Sequence, residues 1–286
     1  MKDYVPGALV AVLVLLVFVW NLFARIPFSL PFWSIASIPF VLLGLSGYYR
    51  FKRPSEVRFF ELPYYMGLWI VFPIFGTQLT YLGLAAGFPY WDGVYSCWDK
   101  ALGFDWMAWR GLLDINPVIK EVLRLAYTSS FFQPFVTVLA IVCWAPGYRN
   151  GEFLTAILLG LLITIVIATL MPAVGPIATY GLDAHLANFI ANLRALDPKP
   201  SWYMGIIVFP SFHTIMAIIF VWANRGLPTF WPFVVLNFLM LWAIPTWGNH
   251  YLVDMLGGTL VAAIAIWLAP YAQGRFSGRF PSILCV

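Results

Sequence analysis

Two of the three histidines lie at the edges of apolar segments, where an ionisable side chain is costly and is therefore a functional candidate. His213 follows Phe209-Pro210-Ser211-Phe212 at the start of one such segment. Proline suits the first turn of a helix, and a helix start offers free N–H groups and a positive dipole end to an anion. We therefore expect Pro210, Ser211, Phe212 and His213 to form a site for a phosphate group, with an interfacial structural histidine as the alternative.

The second histidine, His250, precedes Asp254 by four residues, which places both side chains on one face of a helix. A carboxylate bonded to one imidazole nitrogen fixes the tautomer and raises the basicity of the other nitrogen. Such an imidazole can act as a base or as a nucleophile. Because His213 and His250 start different helices on the same predicted face of a membrane, the pair predicts phosphoryl transfer through a covalent phosphohistidine. A purely structural His–Asp pair is the alternative.

The composition indicates which kind of protein positions these residues. The 286-residue chain is 62% hydrophobic, 19% aromatic and 10% charged, whereas typical globular proteins carry about 25% charged residues. A soluble domain of this size needs a polar coat, so a mostly solvated enzyme, a disordered tail and a nucleic-acid-binding module are excluded. The net charge of +4 is attributed to loops that stay in the cytoplasm rather than to a nucleic acid partner.

Apolar runs bounded by charge or by Pro and Gly predict about eight transmembrane helices, since each span needs about 20 apolar residues. The predicted fold class is an all-α, polytopic membrane helical bundle that forms one domain over residues 1–286. The predicted spans are 6–24, 27–49, 62–88, 126–145, 154–173, 207–224, 231–247 and 251–270.

Residues 89–125 differ from the spans because tryptophans alternate with charged residues, which predicts amphipathic helices along the membrane interface. A basic cluster formed by Arg50, Lys52, Arg53 and Arg58 predicts the cytoplasmic side. Eight spans then put both termini in the cytoplasm and both histidine motifs on the periplasmic or lumenal side. The expected location is a bacterial inner membrane or a Golgi-like endomembrane.

The two histidine segments resemble the second and third signatures of the phosphatidic acid phosphatase type 2 superfamily, whose patterns are Pro-Ser-Gly-His and Ser-Arg-x5-His-x3-Asp. The likeness extends over roughly residues 155–270 and implies a catalytic core there, built on six helices. By this resemblance His250 is the nucleophile, His213 is the acid that protonates the leaving oxygen, and Asp254 orients His250.

The chain departs from that pattern at three cationic positions. The first signature, Lys-x6-Arg-Pro, is missing: the only Arg-Pro is Arg53-Pro54, on the wrong side, with Ser46 in place of the lysine. Ala243-Ile244 stands where the third signature has Ser-Arg. A dianionic phosphomonoester would lose charge-assisted partners, whereas a phosphodiester with one negative charge needs fewer of them.

The remaining pattern of the two histidine motifs resembles the branch of the superfamily that contains inositol phosphorylceramide synthases. Sphingomyelin synthases carry out the same kind of headgroup transfer. That branch has a large apolar residue inside Pro-Ser-x-His, here Phe212, and glycines after His-Tyr-x-x-Asp, here Gly257-Gly258. The segment 171–176 resembles its proline-rich segment, with a simple helix stop as the alternative. The resemblance implies transfer of a phosphorylated headgroup from a membrane phospholipid to the hydroxyl of a lipid or alcohol acceptor, with no metal and no other cofactor.

Further residues near the motifs are candidates for binding phosphate or substrate. Arg194 and Lys199 are candidate replacements for the missing cations, with solvated loop charges as the alternative, and His185 lies in the same loop. The other predicted binding residues are Pro210, Ser211, Phe212, Gly175, Pro176, Tyr180, Asn249 and Tyr251.

Three other functions stay open. With water as the acceptor, the same chemistry gives a phospholipase C-type hydrolase or a phosphatase acting on a lipid phosphate or polyprenyl (pyro)phosphate. The residues His213, His250, Asp254 and His185 could instead bind zinc, because histidine and carboxylate are its usual ligands. A non-enzymatic lipid transporter could line its path with the same polar groups. The oligomeric state is not indicated by the sequence.

Overall fold

The structure is a computed structural model and describes residues 4–26, 32–196 and 206–274. Over these ranges the chain forms thirteen α-helices and a 3-10 turn, and no strand, which confirms the all-α class. In chain order the helices are α1 (Tyr4–Ala24), α2 (Phe32–Lys52), α3 (Val57–Ala85), α4 (Asp92–Ala101), α5 (Trp106–Asp114), α6 (Pro117–Thr128), α7 (Gln133–Trp144), α8 (Tyr148–Leu170), α9 (Pro176–Thr179), α10 (His185–Arg194), α11 (Phe212–Ala223), α12 (Phe230–Trp247) and α13 (Leu252–Ala272).

Five helices of the described chain are long and apolar enough to cross a membrane, namely α1, α3, α8, α12 and α13. A sixth span results if α6 and α7, which meet at 59°, cross together. The two remaining predicted spans, 27–49 and 207–224, overlap α2 and α11, and α11 has only 12 residues. The protein is therefore a multi-pass membrane protein. Its described residues contain five or six spans by length and composition, where the sequence predicts eight over the whole chain.

The core of the bundle forms where α3, α8 and α11 pack together. Phe153 of α8 is fully buried and lies between two aromatic rings, Trp69 of α3 at 5.1 Å and Phe220 of α11 at 6.0 Å between ring centroids. Aromatic rings in such tilted and edge-on arrangements add to the energy of burial. This core fixes the position of α11, the helix that begins with the His213 motif.

The interfacial segment forms short helices, and side chains with N-capping ability stand at the starts of two of them. Asp105 and Asn116 are the N-caps of α5 and α6, and each side chain accepts backbone N–H groups of the first turn. The face of α4 formed by Asp92, Tyr95 and Asp99 is buried, and these residues have the spacing of one helix face. α4 thus directs two carboxylates into the protein rather than towards the surroundings.

The ends of α8 and α12 meet the interfacial helices at one end of the bundle. The Tyr95 hydroxyl donates to the carbonyl of Met171, just after α8, at 2.9 Å. The indole N–H of Trp106, on α5, donates to the carbonyl of Pro245 in α12 at 2.8 Å. At the opposite end, Arg149 at the start of α8 donates to the carbonyl of Ala223, where α11 ends. Helices α11 and α13 therefore both begin at the end where α8 and α12 finish.

Gly257 and Gly258 allow α13 to contact the segment that precedes α11. A Cβ atom at Gly258 would lie 2.6 Å from the carbonyl oxygen of Ser211, and one at Gly257 would lie 2.9 Å from the ring of Phe209. The Ser211 N–H also donates to the backbone carbonyl of Asp254 at 2.9 Å. This close approach, which a side chain would prevent, holds the two histidine motifs side by side.

We predict that Gly258→Ala destabilises the protein by about 1–3 kcal/mol, because the added methyl group overpacks the contact with Ser211. The matched control is Gly44→Ala in α2, where a Cβ meets no atom within 4 Å and alanine favours the helix. The measurement is the apparent unfolding temperature in detergent, followed by tryptophan fluorescence. Equal unfolding temperatures for the two variants would contradict the close contact.

Candidate active site

His250 lies in the turn between α12 and α13 and is 2% exposed. Its Nδ1 is 2.8 Å from the carbonyl oxygen of Val208 and 3.2 Å from Oδ2 of Asp254. Because both neighbours are acceptors, Nδ1 carries the proton and Nε2 keeps its lone pair. Burial lowers the pKa of His250 to about 4, while the Val208 carbonyl opposes this shift. The ring is therefore neutral near pH 7, in the form that can attack phosphorus.

Asp254 lies in the first turn of α13 and is fully buried. Its Oδ2 accepts the backbone N–H of Tyr251 at 2.7 Å in addition to facing His250. The carboxylate therefore caps the helix and orients the imidazole with the same oxygen. Its second oxygen, Oδ1, has no hydrogen-bond partner among the described residues.

His213 is the second residue of α11 and is half-buried. Its ring stacks on that of Tyr127 with centroids 4.2 Å apart and 23° between the planes. The Tyr127 hydroxyl lies 3.1 Å from Nδ1. Burial lowers the pKa of His213 to about 3, and the charge of His250 lowers it in the same direction, so the ring is neutral near pH 7 in the free protein. Nε2 of His213 has no partner in the described chain and is the nitrogen that a substrate can reach.

The start of α11 has free N–H groups, as expected for a phosphate site. Ser211 is the N-cap, and its Oγ accepts the N–H of Thr214 at 3.3 Å. The N–H groups of Phe212 and His213 have no acceptor among the described residues. The sequence predicts Pro210 in the first helical turn. In the structure Ser211 is the N-cap and Phe212 is the first helical residue, so Pro210 precedes the cap. Two backbone donors thus remain beside His213 for an anion.

The start of α13 differs, because a carboxylate of α4 occupies its N–H groups. Asp99 accepts the N–H of Leu252 at 2.9 Å and that of Val253 at 3.0 Å. Burial raises the pKa of Asp99, and these two N–H groups oppose the shift. Because the N–H groups at the start of α13 already bond to Asp99, they are not free for a phosphate. They instead hold in place the turn that carries His250.

Asn249 connects the turn before His250 to the loop after α8. Its Oδ1 accepts the N–H of Ile177 at 2.7 Å, and its Nδ2 donates to the carbonyl of Val174 at 2.9 Å. Gly175 has φ +85° and faces Asn249 so closely that a Cβ would lie 2.4 Å from Nδ2. Pro176 begins α9 in the same loop. Both polar groups of the Asn249 side chain therefore bond to the loop after α8. A phosphate contact by Asn249, Gly175 or Pro176 stays a prediction.

Tyr251 is buried, and its hydroxyl donates to Asp92 at 3.0 Å. Asp92 also accepts the N–H of Gly175 at 2.8 Å, so that α4, the loop after α8 and the His250 turn meet at one carboxylate. Tyr180 lies next to this region and stacks on Trp106, with centroids 5.6 Å apart. Their contact with a substrate stays a prediction.

Arg194 contacts the end of α3. Its Nη2 donates to the carbonyl of Phe88 at 2.7 Å, and its guanidinium lies over the ring of Tyr90 at 4.1 Å. Lys199 lies outside the described residues. In the part of the chain that the structure describes, no lysine or arginine is hydrogen-bonded or ion-paired to His213, His250 or Asp254. Which cation faces the phosphate therefore stays open, and the roles of Arg194 and Lys199 stay predictions.

Three residues at the centre were not found from the sequence. Tyr127 belongs to a segment interpreted only as a span, and a single tyrosine there carries no local signal. Asp92 and Asp99 were counted as interfacial charges, although their spacing with Tyr95 puts all three on one helix face. That spacing was the available signal, because acidic residues on the apolar face of a helix need partners.

Over the described residues, no three His, Cys, Asp or Glu side chains are arranged to hold a metal ion. The geometry therefore gives the zinc alternative no support. His250 Nδ1 and Asp254 bond to each other and to the backbone instead.

Fold and site together define a multi-pass helical membrane protein with two histidines and a carboxylate at one end of the bundle. A family model described as the PAP2 superfamily matches residues 96–268, which is more than half of the chain. The protein belongs to this superfamily, whose members are phosphatases or phosphotransferases. The match begins within α4, so it starts well before residue 155, where the likeness of the histidine motifs begins. No curated protein and no solved structure matches the chain.

We predict that Asp99→Ala lowers turnover about 10- to 100-fold, because the start of α13 shifts and misplaces the attacking nitrogen. The matched control is Asp105→Ala, which removes an exposed side-chain N-cap from the neighbouring interfacial helix α5. Both variants are compared by turnover number and by unfolding temperature. A loss of activity in Asp105→Ala as large as that in Asp99→Ala would contradict the anchoring role.

Proposed function

We propose that the protein is a membrane phosphotransferase that moves a phosphorylated headgroup from a phosphodiester lipid to the hydroxyl of a lipid or alcohol acceptor. The observation that carries this proposal is the state of His250, with a protonated Nδ1 held by Asp254 and Val208 and a free Nε2 lone pair. The neighbouring His213 supplies a second exchangeable proton.

In the first half of the reaction, Nε2 of His250 attacks phosphorus and forms an N–P bond. The bond from phosphorus to the lipid oxygen breaks, and that oxygen takes a proton from Nε2 of His213. This ring is neutral in the free protein because burial lowers its pKa, so it takes up the transferred proton when the anionic diester binds beside it. Asp254 balances the positive charge on the phosphorylated His250 ring. The free N–H groups of Phe212 and His213 support this role, since such donors stabilise charge that develops on phosphoryl oxygens.

In the second half, the acceptor hydroxyl gives its proton to Nε2 of His213, which is now neutral. The acceptor oxygen attacks phosphorus, the N–P bond breaks, and His250 regains its lone pair. With water as the acceptor, the product is the phosphomonoester of the headgroup. The same residues therefore serve a transferase or a phospholipase C-type hydrolase, and the acceptor decides between them.

The charges around the histidines favour a phosphodiester over a phosphomonoester. In the described chain, the centre has carboxylates at Asp92, Asp99 and Asp254 but no bound lysine or arginine. A dianionic phosphomonoester would be repelled more strongly than a monoanionic diester, because the interaction energy scales with the charge. A lipid phosphate or polyprenyl phosphate phosphatase is therefore the second candidate.

We also propose that the histidine end of the bundle faces the periplasm or a lumen, with the termini in the cytoplasm. Arg194 contacts the carbonyl of Leu84 near the end of α3 at the histidine end. The basic connection between α2 and α3 therefore lies at the opposite end, as a cytoplasmic excess of Lys and Arg requires. A bacterial inner membrane or a Golgi-like membrane fits this orientation.

We predict that His250→Ala and His213→Ala each lower turnover at least about 100-fold, because the nucleophile or the acid is removed. Only the proteins with His250 should trap labelled phosphate as an acid-labile adduct. Tryptophan fluorescence in detergent checks that each variant is folded. If either folded variant retained more than about a tenth of the wild-type rate, the assignment would fail.

We predict that purified protein given labelled phospholipids and candidate alcohols forms a headgroup-transfer product without releasing the free phosphorylated headgroup. The measurement is product mass, with and without acceptor. Release of the headgroup phosphomonoester despite an acceptor would identify a hydrolase, and inorganic phosphate from a lipid phosphate would identify a phosphatase. Loss of turnover on exhaustive chelation would favour zinc, and no phosphoenzyme with any lipid would favour a transporter.

A further inference from the structure

Tyr127, at the end of α6, contacts His213 and lies near Gly248, two residues before His250. Its ring stacks on His213, and its hydroxyl is 3.1 Å from Nδ1 of that residue. A Cβ at Gly248 would lie 3.2 Å from Cε2 of Tyr127 and 2.6 Å from Cδ2 of His250. Gly248 thus leaves room for both rings. This places a phenol beside the residue that exchanges protons in the proposed reaction.

His213 needs a fixed tautomer as much as His250 does. Nε2 of His213 must lose a proton in the first half of the proposed reaction and accept one in the second. Both steps are possible only if Nδ1 keeps its own proton throughout, because a neutral imidazole carries a single N–H. In His250 the acceptors Val208 and Asp254 retain the Nδ1 proton. In the described chain the one polar side-chain atom bonded to Nδ1 of His213 is the Tyr127 hydroxyl.

We propose that Tyr127 is a positioning residue whose hydroxyl accepts the Nδ1–H of His213 and so keeps Nε2 as the nitrogen that exchanges protons with the substrate. The stacked phenol ring also favours the imidazolium form, since aromatic faces attract cations. The inference rests on the proposed function for its role in turnover. The tautomer of His213 is a property of the free protein and can be measured without any substrate.

The first test is ¹⁵N NMR of histidine-labelled protein in detergent, because the chain has only three histidines and single substitutions assign their signals. At neutral pH we expect His213 to carry its proton on Nδ1. In Tyr127→Phe, which keeps the ring, we expect the proton to move to Nε2. An Nε2-protonated His213 in the wild type, or an unchanged tautomer in Tyr127→Phe, would overturn the proposal.

The second test separates proton transfer from general damage to the site. On a lipid phosphodiester we expect Tyr127→Phe to lower kcat about 10- to 100-fold, as losses of orienting partners do, with KM nearly unchanged. On a p-nitrophenyl phosphodiester, whose leaving group needs no proton, the first-turnover burst should stay within about threefold of wild type, because only orientation for proton transfer is lost. Equal losses on both substrates would show a structural role and contradict the proposal.

The matched control is Tyr48→Phe, an exposed tyrosine on α2 that lies outside the site, for which rates and histidine signals should not change. The outcomes also separate the two proposals. If the tautomer switches in Tyr127→Phe but no phosphodiester is turned over by the wild type, the proposed function fails while the Tyr127–His213 contact stands. If the wild type transfers headgroups but the tautomer does not switch, only the Tyr127 assignment fails.

Discussion

The buried carboxylate of Asp254 is the group on which the rest of the site depends. A carboxylate without exposure to water needs hydrogen-bonding partners, and here Oδ2 accepts the Tyr251 N–H and faces His250, while Oδ1 has no partner among the described residues. The carbonyl of the same residue accepts the Ser211 N–H. One residue therefore joins the start of α13, His250 and the segment before α11, and so links the two histidine motifs.

The interfacial helix α4 extends this constraint to the chain around the site. Asp99 holds the first turn of α13, and Asp92 joins Tyr251 to the loop after α8. Asp92 and Asp99 accept backbone N–H groups, so two of the few charged side chains of this protein hold the loop after α8 and the start of α13 in place. The N–H groups at the start of α11 have no such carboxylate partner in the described chain, and in the proposed reaction they are the donors that face the phosphate.

The local parts of the site could be predicted from the sequence, and the distant parts could not. The His250–Asp254 spacing and the apolar run of α13 are properties of neighbouring residues, so they indicated both the pair and its helix. Tyr127 reaches His213 from 86 residues away, and nothing near Tyr127 reports that contact. Asn249 is predicted to bind substrate, and its amide also bonds with both of its groups to the loop after α8, a contact that the local sequence does not indicate.

The contact between Asp99 and Leu252 has a consequence for biosynthesis, because it spans 153 residues of sequence. Chains emerge from the ribosome with the N-terminal side first, so α4 is complete long before its partner exists. The Asp99 carboxylate must stay hydrated at the membrane surface until α13 inserts and supplies the two N–H groups. The turn that carries His250, the nucleophile of the proposed reaction, is therefore held in place only late in synthesis, after α13 has formed.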